Sequence, residues 1–181
     1  MPFSSPLAGR TPHQAVRNFI DPLNKAVSCI TQNIVVASGS DPNNPQAVSV
    51  NKGKPSKLKG EFNLFLAVMM RYQITKISGI SGPWKVSTRA YYYGINNHRG
   101  EEILAYHWHP NVGPLYPHLH IHNGSNILPI SAKTHIPTRR LSLEEILRFL
   151  IIELKVSPLK SNWDTILKNT QSKHEQFGSW S

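Results

Sequence analysis

The chain is short of cysteine, of acidic residues and of long apolar runs, and each shortage closes off a class of protein. One cysteine, Cys29, in 181 residues rules out an intramolecular disulfide and any cysteine-rich zinc site. No electropositive setting is legible around it, so it reads as a buried, idle thiol. The longest apolar stretch, Phe62 to Met70, has about half of the ~20 residues needed to span a bilayer. The opening MPFSSPLAGR holds no apolar segment of the secretory kind. The expectation is a cytoplasmic protein with no membrane partner. Asp and Glu number 10 against 20 Lys and Arg, a formal charge of +10. An excess of that size favours a polyanionic partner, because each neutralised phosphate releases condensed counterions.

Proline (14) and glycine (11) are ample and gather in residues 1–12, 39–60 and 78–83, which are therefore expected to be loops. The rest is enough for one domain with a proper core. Thr11-Pro-His-Gln14 reads as a capping box, and Val16, Phe19, Ile20, Leu23, Val27 and Ile30 follow at helical spacing. Asp21-Pro22 is expected to kink this helix or restart it. Lys52, Lys54, Lys57 and Lys59 alternate with Gly, Pro and Ser in a segment expected to be an exposed basic loop. Residues 1–60 thus read as a helix plus an irregular basic segment, and 61–181 as an α+β domain. From Glu61, aromatic and β-branched runs between Gly, Asn and Pro clusters predict hairpins. Ser142-Leu-Glu-Glu145 is a second capping box ahead of an apolar helix, and Ser161 to Asp164 starts a short last one. The predicted fold is α+β: an antiparallel meander of four to six strands, covered by the C-terminal amphipathic helix and the N-terminal one.

Chemistry is hinted at in one place. Five of the nine histidines, His107, His109, His118, His120 and His122, fall within 16 residues. Successive side chains of a strand point to opposite faces, so an i, i+2 spacing lines imidazoles along one face. Histidine changes charge nearest neutral pH, so two of them at one ligand serve as acid and base. With the positive charge, that suggests RNA transesterification: one imidazole takes the 2′-hydroxyl proton, another protonates the leaving oxygen, and a cation holds the non-bridging oxygens. His107, His118 and His120 are the candidate catalytic residues, with His109 and His122 beside them.

Arg89, Arg139 and Arg140 are the candidate cations, the last two just ahead of a helix N-terminus where backbone donors favour an anion. Arg89, Tyr91 and Tyr93 recur at period two, which predicts a strand face suited to phosphate contact and base stacking. The expected site needs no cofactor and no metal. Two alternatives stay open: a non-catalytic module docking on nucleic acid or an acidic protein, and a metal-dependent hydrolase built on the histidine cluster.

His118-Leu-His-Ile-His122 resembles, over those residues, the histidine triad of nucleotide hydrolases and transferases. It departs from that motif at Asn123-Gly124, where two apolar residues are the rule. Tyr106-His-Trp-His-Pro110, Tyr116-Pro-His-Leu-His120 and a sheet-covering helix near the C-terminus together resemble the TumE-like group of prokaryotic toxins, over residues 84–155. That resemblance implies an RNA-directed toxin with an antitoxin partner, and reaches individual residues only at His107, His118 and His120.

Overall fold

The computed structural model describes residues 7–77, 84–122 and 133–176. The expected turns at Gly79–Pro83 and Gly124, and most of the expected strand from Ile127, lie outside them. Helix α1 spans Pro12–Val27. The strands follow as β1 (Val35–Ala37), β2 (Gln46–Val50), β3 (Ser56–Lys57), β4 (Phe65–Lys76), β5 (Trp84–Asn96), β6 (Glu102–Trp108), β7 (His118–Ile121) and β8 (Ile136–Pro137), with α2 (Leu143–Ile152) and α3 (Trp163–Gln176) closing the chain. Seven strands run in the order β1-β2-β4-β5-β6-β7-β8, and β3 pairs β4 from outside that path. Every pairing is antiparallel. Among the described residues no helix is long and apolar enough to cross a membrane.

The caps work largely as the sequence suggests. The Thr11 hydroxyl accepts from the Gln14 N–H, while the Gln14 side chain reaches back one residue further, to the Arg10 N–H. Ser142 and Glu145 form a complete reciprocal capping box. Helix α1 runs through Pro22 without restarting, since proline removes a single ladder bond and Leu23, Ala26 and Val27 beyond it are all buried. The last helix is longer than expected, because Leu167, Thr170 and His174 give it a buried side for most of its length.

The segment expected to be irregular joins the sheet. Val48 and Val50 are buried in alternation with Ser49, and β2 pairs β4 from Gln46↔Tyr72 to Ser49↔Met69. Polar composition had hidden a strand with one wet face. Residues 38–45, the turn at 51–53 and the stretches beside the two-residue β3 keep the loop character, with Asn51 and Lys52 at positive φ and Lys52, Lys54, Lys57 and Lys59 all exposed.

One face of the sheet carries the core. Leu66, Val68, Met70, Tyr72 and Ile74 of β4 and Tyr91, Tyr93 and Ile95 of β5 pack with Phe19 and Leu23 of α1 and with Leu143, Ile146, Leu147 and Leu150 of α2. On the opposite face Met69 is 44% exposed, and Arg71 and Gln73 are exposed as well. Among the described residues no helix covers that side of β4, and this is where the histidines emerge.

Candidate functional site on the open sheet face

Strand alternation and antiparallel register build the cluster. His107 of β6 stands directly opposite His118 of β7, and Ala105 opposite His120. Residues directly opposite share a face, as do residues two apart, so His107, His109, His118 and His120 converge. His107 and His118 stack with ring centroids 5.5 Å apart, His109 lies 5.6 Å from His107 and 5.1 Å from His118, and His120 lies 4.9 Å from His107. A sixth imidazole, His135, arrives just before β8, at 4.8 Å from His118 and 4.7 Å from His120.

The partners of these rings fix their proton states. His118 is fully buried, and its Nδ1 lies 3.0 Å from the Tyr116 carbonyl oxygen. A carbonyl only accepts, so Nδ1 carries the proton and Nε2 is left with its lone pair. His109 Nδ1 donates in the same way to the Val112 carbonyl, within a turn closed by Gly113 at φ 89°. Among the described residues, the buried Nε2 atoms of His107 and His118 have no hydrogen-bond partner. Burial, then the neighbouring imidazoles led by His120, pushes the pKa of His107 down to about 4. Burial also lowers that of His118, against its bond to Tyr116. Both rings are therefore neutral at physiological pH, as lone-pair donors.

A different device sits at the far end of the face. The Tyr92 hydroxyl donates to Glu102 Oε2, and Glu102 Oε1 lies 2.9 Å from His122 Nε2. Burial, reinforced by Glu102, raises the Tyr92 pKa. Gly94 makes room for this arrangement, since a Cβ there would run into the Tyr92 hydroxyl and approach Glu102.

Arginines line the adjoining cleft. A cavity of about 710 Å³ is walled by Arg71, Arg89 and Arg140 together with Trp108 and His109. A smaller one of about 250 Å³ is walled by Met69, Arg71, Tyr92, His107, His109 and Val112. Arg71 and His109 belong to both, so the cationic cleft opens onto the histidine face.

Several expected site residues are placed elsewhere. Tyr91 and Tyr93 do not face the open side: they are 3% and 0% exposed, stacked at 4.7 Å on the helix-covered face, and the Tyr91 hydroxyl accepts from the Leu141 N–H. They cannot stack bases. Arg89 leaves their row because it is the extra residue of a bulge: Ala90 pairs Arg71 and Thr88 pairs Tyr72. The same bulge puts Arg89 in the cleft wall. Arg139 donates to both oxygens of Glu145 and braces the α2 cap, whereas Arg140 lies over the Trp108 ring at 3.8 Å, at the cleft. His122 is engaged by Glu102 rather than by the cluster.

Three contributors escaped the sequence reading. They are His135, Arg71 and Glu102, none of which the sequence had marked as part of the site. The readable signal was weak. Arg71 alternates with buried Met70 and Tyr72, which marks it as outward-facing without saying toward what. No protein-family model, curated protein or solved structure matches the chain.

Proposed function

We propose that the protein is RNA-directed, with the arginine cleft taking the phosphate backbone of a single strand and the histidine face cleaving the phosphodiester. The observation that carries this reading is the wall shared by the two cavities: Arg71 and His109 border both, so a phosphate held by Arg71, Arg89 and Arg140 lies against the imidazoles. Guanidinium groups are fitted to phosphate through paired N–H donors. The net charge of +10 supports a polyanionic ligand over a small neutral one.

In the reaction, the 2′-oxygen bonds to phosphorus as its proton passes to a neutral base, and the P–O5′ bond breaks as the leaving oxygen takes up a proton. His107 and His118, held neutral, carry no imidazolium proton to give, and the burial that lowers their pKa makes them weak proton acceptors while leaving them able to ligate a metal. Of the three expected catalytic histidines that leaves His120, half-buried between His107 and His135, as the candidate for proton transfer to the leaving group. The likeness of residues 84–155 to TumE-like toxins supports RNA as the substrate and an antitoxin as a protein partner.

The test is retention and cleavage of a mixed single-stranded RNA as salt is varied. Each phosphate contact on a single strand contributes about −0.7 to the slope of log K against log salt. Arg71→Ala with Arg89→Ala is therefore expected to flatten that slope by roughly 1.4. RNA that is neither retained nor cleaved at low salt would end the proposal.

A further inference from the structure

The ring nitrogens of His107, His109 and His118 include one from each that lie within 4.8 Å of one another. Two of these rings are already in the tautomer a metal ligand needs. His109 and His118 each give their Nδ1 proton to a backbone carbonyl, from Val112 and Tyr116, which leaves Nε2 as the coordinating atom. Such carbonyl-bound imidazoles orient metal ligands and raise their basicity. His118 Nε2 is moreover a fully buried lone pair with no partner among the described residues, and the buried Nε2 of His107 has none either. Leaving both orphaned is costly unless a cation meets them.

The spacing agrees. Imidazoles bound through Nε2 at about 2.0–2.1 Å in a tetrahedral shell hold their centroids roughly 5 Å apart. The three pairs here stand at 5.1, 5.5 and 5.6 Å. His107 of β6 has His118 directly opposite it on β7, and His109 follows two residues on, in the turn just past the end of β6.

We propose that His107, His109 and His118 hold one zinc-class divalent ion, with its open coordination position facing the cavity that His107 and His109 line. Imidazole ligands select zinc, nickel or copper over magnesium or calcium. A three-histidine shell with a fourth position toward a cavity is the hydrolytic kind of site, where a bound water loses its proton near neutral pH. His118 also lies within ligand distance of His120 and His135. With its Nδ1 committed, His118 has one lone pair to give, so the two sets exclude each other. The carbonyl bond of His109 decides for the first. This inference concerns metal binding and stands apart from the RNA reading; only the use of the ion on a phosphodiester rests on that reading, with His120 then outside the ligand set.

The experiment is titration of the chelator-stripped full chain with Co²⁺, read by visible absorption, and competition with Zn²⁺ for the same site. One four-coordinate ion per chain is expected, together with a rise in thermal midpoint. His107→Ala and His109→Gln should each weaken binding by roughly 100-fold or more, beyond the 10–100-fold cost of losing an outer-shell partner. His120→Ala combined with His135→Ala removes no ligand of this set and should leave binding within about tenfold, the lower end of the cost of losing an outer-shell partner. His109→Gln lies in a turn outside the core, so its circular dichroism should match the parent and keep the comparison valid. Absence of a one-to-one complex with the parent chain overturns the proposal, as does binding that survives at His109→Gln but is lost in the His120/His135 variant. If salt-sensitive RNA retention persists when no metal is bound, the metal inference alone has failed.

Discussion

The two faces of β5 and β6 are written in alternate residues of the same strands, yet they do opposite things. Tyr91, Tyr93 and Trp108 point under the helices and are at most 5% exposed, while Tyr92 and His107 point the other way, to a side where Met69 and Arg71 are exposed. On the covered face polar atoms are spent on structure: the Tyr91 hydroxyl accepts from the Leu141 N–H at the approach to α2. On the open face they are gathered beside the two cavities that His109 and Arg71 share. Aromatic side chains serve both faces, which teaches that residue type alone does not mark a binding surface; what matters is which face the helices cover.

The comparison is broken hardest from the covered side. Glu144 and His174 form a pair 0% and 2% exposed, with 3.1 Å between Oε1 and Nδ1, joining α2 to α3. Glu144→Ala leaves His174 buried without that partner, and is expected to cost about 3–5 kcal/mol, measured as a fall in the urea midpoint. An effect under about 1 kcal/mol would mean that the pair is not closed in solution. Tyr93→Ala removes a fully buried ring stacked on Tyr91, for a loss of about 3–4 kcal/mol and roughly 10 °C in thermal midpoint. Tyr93→Phe sharpens the point. Among the described residues the hydroxyl has no partner, so its removal should be neutral or stabilising by up to about 1 kcal/mol.

The open face is expected to show itself through pH. A histidine whose folded pKa lies below its ordinary value of 6.5 is protonated first in the unfolded chain. The metal-free protein should therefore be fully stable above 6.5, and lose stability as pH falls from there toward about 4 at His107. His107→Gln should flatten that limb of the stability curve; an unchanged limb would place the titration elsewhere. The smallest effect belongs to His120→Ala, expected to alter stability by less than about 0.5 kcal/mol, as surface substitutions do, while abolishing RNA cleavage in the same preparation. Cleavage at the parental rate would remove His120 from the chemistry.

What the sequence determined by itself was local. Both helix starts were legible at Thr11 and Ser142, because a cap hydroxyl and the residue three later act within one turn. The strands from β5 to β7 were legible in their aromatic and β-branched runs, whereas the apolar run Phe62 to Met70 suited a buried helix as well as the strand β4; the His-x-His spacings fixed that alternate imidazoles share a face, because the strand period of two allows nothing else. Tertiary structure decided the rest. Periodicity says which residues stand together but not which side is covered, so the row of Tyr91 and Tyr93 went to the core once α1 and α2 packed there. A single extra residue reset the alternation at Arg89. Glu102, Arg71 and His135 reached the histidines through pairing between strands and the entry to β8, over separations along the chain that no local pattern encodes. A site assembled across neighbouring strands depends on register, and register is set by the hydrogen-bonded partners a strand finds, not by its own residues alone.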